Sequence, residues 1–109
     1  MPTIYKVLGQ SAPSATTNTD VYTSPASTQT VISTISVANR GATAATFRIA
    51  IRVAGAAIAN SHYIAYDATV AANDATNLTL GVTLAATDVV TIYASNANLT
   101  FNLFGSQIS

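Results

Sequence analysis

The stretch Thr46-Phe47-Arg48-Ile49-Ala50-Ile51-Arg52-Val53 decides the fold. Large apolar residues stand at every second position, Phe47, Ile49, Ile51 and Val53, with Thr46, Arg48, Ala50 and Arg52 between them. Successive side chains of a strand point to opposite faces, so a strand aligns the four apolar residues. A helix would scatter them around its circumference. The reading predicts a strand with Phe47, Ile49, Ile51 and Val53 in one core and Arg48 and Arg52 outside it.

The same period extends in both directions. Strands are expected over Ile4 to Gln10, Asp20 to Thr23 and Thr28 to Asn39, the last with Val31, Ile35 and Val37 on one face. Further strands are expected over His62 to Tyr66, Leu78 to Val82, Asp88 to Ser95 and Leu99 to Phe104. In the Leu78 segment, Leu80 and Val82 share its face. The run Val89, Val90, Ile92, Tyr93 reads as buried on both faces. Turn residues separate these runs: Ser11-Ala12-Pro13-Ser14, Ser24-Pro25-Ala26-Ser27, Asn39-Arg40-Gly41, Ala54-Gly55-Ala56, Ala72-Asn73-Asp74 and Ser95-Asn96-Ala97-Asn98. The Ala-rich piece from Gly55 to Asn60 is long enough for a helical turn and no more. About eight short strands at regular spacing predict an all-β fold, a single antiparallel β-sandwich or jelly-roll-like barrel, filled by one domain over residues 1–109. A closed β architecture of this kind limits edge-to-edge aggregation.

Composition narrows the function. Charged residues make up 7% of the 109 residues, against roughly 25% in an average soluble domain. Glu is absent, the acids are Asp20, Asp67, Asp74 and Asp88, and the bases are Lys6, Arg40, Arg48 and Arg52. Net charge is zero, so the sequence predicts no nucleic-acid partner and no attraction to anionic membranes. A neutral domain has little colloidal protection. Its surface is either a coat of hydroxyls and amides or a surface buried by copies and partners. The absence of Cys excludes disulfides and thiolate metal sites. No charged region followed by a long apolar run opens the chain, and no apolar run reaches the roughly 20 residues of a spanning helix. Synthesis inside the cell without secretion is the expectation.

Catalytic patterns are weak. His62 is the only histidine, no Gly-x-Ser-x-Gly elbow exists, and Asp67 lies five residues on, which in a regular strand faces the other way. Asp74 and Asp88 fall at loop ends, where Asp commonly accepts from nearby backbone N–H groups. No cofactor and no metal site are expected. Arg48 and Arg52 share a strand face and form either a two-arginine partner contact or an ordinary solvated face. Tyr63 and Tyr66 are an odd distance apart and face opposite sides of a regular strand, one in the core and one at the surface. Tyrosines also line carbohydrate grooves, which keeps a glycan-binding module among the alternatives.

Several segments together resemble small virion proteins of tailed bacteriophages, of the cyanophage type. They are Tyr5-Lys6-Val7-Leu8-Gly9-Gln10 with Ala12-Pro13, Val21-Tyr22-Thr23 with Pro25, and Val37-Ala38-Asn39-Arg40. To these add Arg48-Ile49-Ala50-Ile51-Arg52, Tyr63-Ile64-Ala65-Tyr66-Asp67, Leu78-Thr79-Leu80-Gly81-Val82-Thr83-Leu84, Asp88-Val89-Val90 and Phe104-Gly105-Ser106-Gln107-Ile108. The resemblance implies a particle component, located in the virion and non-enzymatic: a capsid cement or decoration protein bound to the major capsid protein or other virion proteins. The alternative is a tail, baseplate or fibre piece. It implies a homo-oligomer, with a trimer as the analogy, and carries no catalytic residues. Neutral Thr, Ser and Asn faces suit such contacts, since they are buried without stranding charges. The candidate oligomer or partner contacts are Tyr5, Arg48, Arg52, Tyr66 and Phe104.

Overall fold

In the computed structural model, residues 3–79 and 81–109 are described. Nine strands are found among them: β1 (Thr3–Ser11), β2 (Thr19–Thr23), β3 (Gln29–Asn39), β4 (Ala45–Arg52), β5 (Tyr63–Val70), β6 (Ala75–Leu78), β7 (Val82–Leu84), β8 (Val89–Ala94) and β9 (Leu99–Ile108). Their pairing is that of one long hairpin folded at the β4–β5 connection. β4 pairs with β5, β3 with β6 and β7, β2 with β8, and β1 with β9, all antiparallel. Rolling that ribbon up adds the pairs β3 with β9 and β4 with β8. Two sheets result, one in the order β1-β9-β3-β6 with β7 also on β3 (sheet A), the other β2-β8-β4-β5 (sheet B). A hairpin rolled into two facing sheets has jelly-roll order, and the two packed sheets make the fold an antiparallel β-sandwich.

The core fills the space between the sheets. Phe47, Ile49, Val90, Ile92 and Ala94 come from sheet B, and Ile32, Ile35, Val37, Leu99, Phe101 and Leu103 from sheet A. Phe47 and Phe101 meet across the layers edge to face, with ring centroids 6.1 Å apart. At one end the core is polar. Tyr22 Oη and Ser24 Oγ each share a hydrogen bond with Thr30 Oγ1 at 2.9 Å, and Gln107 Nε2 donates to Tyr22 Oη at 2.7 Å. Every buried side-chain polar atom among the described residues has a partner, so this network carries no desolvation penalty for an unmade bond.

The deciding stretch is a strand, with Phe47 and Ile49 fully buried and Ile51 packed against the core. Val53 departs from expectation. The strand ends at Arg52, the chain turns through Val53–Gly55, and Val53 is 65% exposed. Positive φ at Ala54 and Gly55 carries the chain out of the strand direction there, which takes Val53 off the core face. Short helical turns at Val53–Gly55 and Asn60–His62 flank the Ala-rich piece instead of filling it. In β3 a register shift between Ile32 and Thr34 reverses the alternation. Ile32 therefore joins Ile35 and Val37 in the core, and Val31 turns outward. The segment expected as one strand from Leu78 to Val82 is divided into β6 and β7, with Gly81 at φ 65° between them. Leu80 lies outside the described residues. β8 is buried on both faces as its composition predicts.

The sheets are not closed into a barrel. β1 is an edge strand of sheet A and pairs with β9 alone. At its far end, Gly9 approaches Val21 of β2 so closely that a Cβ would collide with the Val21 carbonyl oxygen. From Thr3 to Val7 every residue of β1 is exposed. No helix among the described residues is long and apolar enough to cross a membrane.

Candidate functional site

Exposed aromatic and apolar side chains gather in two places, one on each sheet. On sheet A, alternation and register place Tyr5 and Val7 of β1 on the outer face beside Phe104 of β9. Phe104 is turned outward because the side chains alternate after the buried Leu103. Tyr5 is 83% exposed, Val7 46% and Phe104 38%. Tyr5 and Phe104, with Lys6, Val31 and Ser33, line a shallow cleft of about 500 Å³. Tyr5 and Phe104, named separately from the sequence, thus belong to one surface. Val31 joins them through the bulge that turned it out of the core.

On sheet B the centre is Arg48. Its cross-strand partner on one side is Tyr93 of β8. On the other side β5 carries an extra residue, because Phe47 pairs with Ala68 while Ile49 pairs with Ala65. Both Tyr66 and Asp67 therefore oppose Arg48, the geometry of a β-bulge. Asp67 takes φ 53°, a conformation Asp adopts more readily than most residues. Arg48 Nε donates to Asp67 Oδ1 at 2.8 Å and Nη2 to Oδ2 at 3.4 Å. The guanidinium lies 4.2 Å from the Tyr66 ring centroid and 4.4 Å from that of Tyr93. The hydrogen bond that Arg48 donates to Asp67 raises the Arg48 pKa above its ordinary value, opposed by desolvation and helped by the carboxylate charge.

A second extra residue, Ile64, lies between the pairs Ile49–Ala65 and Ala50–Tyr63. It corrects the expectation for the two tyrosines. One added residue reverses the parity of the strand, so Tyr63 and Tyr66 both face outward. Their rings meet at 4.9 Å and 86°. With Asn60 they line a cleft of about 450 Å³.

Arg52 sits on the same outer face as Arg48 but belongs to a different set. Its Nη2 donates to Asp20 Oδ1 at 2.9 Å, its Nε to Thr91 Oγ1, and its Nη1 to the Gly55 and Ala56 carbonyls. Arg52 thereby pins the turn after β4 to β8 and β2. Each arginine of the expected pair thus has its own carboxylate within the chain.

Asp74, Asp88 and His62 hold turns. Asp88 Oδ1 accepts from the Ala54 N–H and Oδ2 from the Ala85 N–H, and Asp74 accepts from the Ala75 N–H, as their loop-end positions predict. His62 Nδ1 accepts from the Ala59 N–H in the turn before β5. No three of His, Cys, Asp and Glu converge among the described residues. Sequence reasoning did not pair Asp67 with Arg48 or Asp20 with Arg52. An Asp inside an otherwise alternating β segment was the available signal for the first, since Asp tolerates the left-handed backbone of a bulge.

What this arrangement defines is a class by fold: an all-β jelly-roll sandwich with one apolar cleft on sheet A and one tyrosine cleft on sheet B. Comparison with protein-family models, with curated proteins and with solved structures found no significant match.

Proposed function

We propose that this chain is a non-enzymatic structural protein of a phage particle, a capsid cement or decoration protein that acts as a homo-oligomer through the outer face of sheet A. The observation that carries the self-association is the coincidence of an apolar face with an open strand edge. Tyr5, Val7 and Phe104 are exposed on β1 and β9, and β1 has no strand on its outer side from Thr3 to Val7. Its unpaired backbone N–H and C=O groups are satisfied by a further strand. A second copy of this chain is the occupant favoured by chemistry, since Lys6 is the only charge on the strand and burying the rest strands no ion. A closed ring would leave no open end for fibre growth.

The fold alone does not choose the role, because jelly rolls serve viral capsids, lectins and cupins alike. The particle assignment is supported by the resemblance of the sequence segments to phage virion proteins. Its test is a density map of the whole particle with this chain fitted into it. The proposal expects rings of the chain on the capsid shell, with β1 and Phe104 facing a neighbouring copy. Density for the chain in the tail, or on the shell with sheet A's outer face in solvent, would overturn it.

A further inference from the structure

We infer that the corner formed by Tyr63, Tyr66 and Asn60 on sheet B is a binding subsite for a neutral saccharide, contacting one pyranose ring. The argument begins with an exposed aromatic that is held still. Tyr66 is 57% exposed, yet one contact on its ring is the Arg48 guanidinium, itself fixed by Asp67 and Tyr93. An exposed ring fixed in place loses little freedom on binding, which is the usual cost of recruiting a surface side chain.

The shape follows from β5. The Ile64 bulge turns Tyr63 to the same side as Tyr66, and the rings stand at 86° to one another. Two perpendicular rings make a floor and a wall. The apolar C–H face of a pyranose stacks on one, while its hydroxyls reach the phenol groups and the Asn60 amide, which offers both donors and an acceptor. The cleft of about 450 Å³ falls within the usual range of small-ligand sites.

Charge selects the ligand class. Among the described residues, the ions in contact at this corner are Arg48 and Asp67, and they neutralise each other at 2.8 Å. An anion finds its cation already paired. A quaternary ammonium finds the Tyr66 ring already engaged by a guanidinium, and like charges repel there. A neutral polyol with one apolar face meets neither obstacle. The subsite is independent of the sheet A contact, because none of its residues belongs to β1 or β9.

The test uses the full chain and methyl glycosides of glucose, galactose, mannose and N-acetylglucosamine as probes, read by saturation-transfer and amide-shift NMR. At least one glycoside is expected to receive saturation on its ring C–H protons at millimolar concentration, with shifts confined to the turn at Asn60 and to β5. Tyr66→Ala is expected to weaken it about tenfold or more, the scale of losing a central aromatic anchor. Asn60→Ala, in an exposed turn, gives the same direction if Tyr66→Ala does not fold. Phe104→Asp is expected to bind as the wild type does, which separates this subsite from the sheet A contact. No transfer to any probe, transfer undiminished in both variants, or preferential binding of acetate or choline would each overturn the inference.

Discussion

Replacing Phe47 by alanine tests the sandwich at its centre. Phe47 is fully buried in β4, between β5 and β8, and its ring meets Phe101 of the opposite sheet at 6.1 Å and 76°. Withdrawing a buried phenyl ring from water contributes about 1.5–3 kcal/mol. The cavity left between two rigid sheets adds to that, giving an expected loss of about 3–5 kcal/mol. A domain of this size holds only about 5–15 kcal/mol in total, so the loss takes a large share of it and lowers the midpoint by at least about 12 °C. The edge-to-face geometry accounts for about 0.5–1.5 kcal/mol of the loss, which a double-mutant cycle with Phe101→Ala isolates. The assay is urea denaturation at one fixed protein concentration, since association shifts apparent stability. A loss below about 1 kcal/mol with an unchanged denaturant slope would refute the reasoning, because no fully buried ring in a packed core is removed so cheaply.

Gly105→Ala is expected to destabilise by about 1–3 kcal/mol in the same assay, because the new Cβ collides with the Val31 carbonyl oxygen and strand β3 must move. Unchanged stability would mean the strands are not packed this closely. Asp88→Ala removes the acceptor of two backbone N–H groups at once and is expected to cost about 1–3 kcal/mol, seen as a lower denaturation midpoint. His62→Ala loses one hydrogen bond in an exposed turn and is expected to shift stability by less than about 1 kcal/mol, leaving oligomeric mass unchanged. Hydrolysis of a polysaccharide or peptidoglycan by the wild type, lost in that variant, would end the non-enzymatic reading.

The strands of this protein were legible wherever the period of two ran unbroken. Phe47, Ile49 and Ile51 fall where alternation places them, and β8 is buried on both faces as its apolar run implies. Errors came at bulges, where one extra residue reverses every later side chain. Val31 and Tyr63 both changed face for that reason, at Ser33 and at Ile64. Val53 was lost because the turn at Ala54-Gly55-Ala56, legible from its glycine, begins one residue early, with positive φ already at Ala54. Sheet order was beyond reach, since pairs such as Thr3 with Ile108 join the two ends of the chain and leave no local trace. The candidate contacts show the same division. Tyr5 and Phe104 were named as aromatics that do not fit a core face, but only the β1–β9 register puts them on one surface. Arg48 and Tyr66 were named singly, and it took the Asp67 bulge to bring the three together.

The central claim is self-association through sheet A, and the most direct measurement is light scattering of the purified chain across a dilution series, beside Phe104→Asp. The account predicts a wild-type mass that is a multiple of the 11.1 kDa chain, three-fold for a trimer. The variant is predicted to fall to monomer with its strand signal in circular dichroism intact, because Phe104 lies outside the core and a charge there is stranded only in the contact. A clean wild-type monomer at high micromolar concentration, with no partner added, would contradict it.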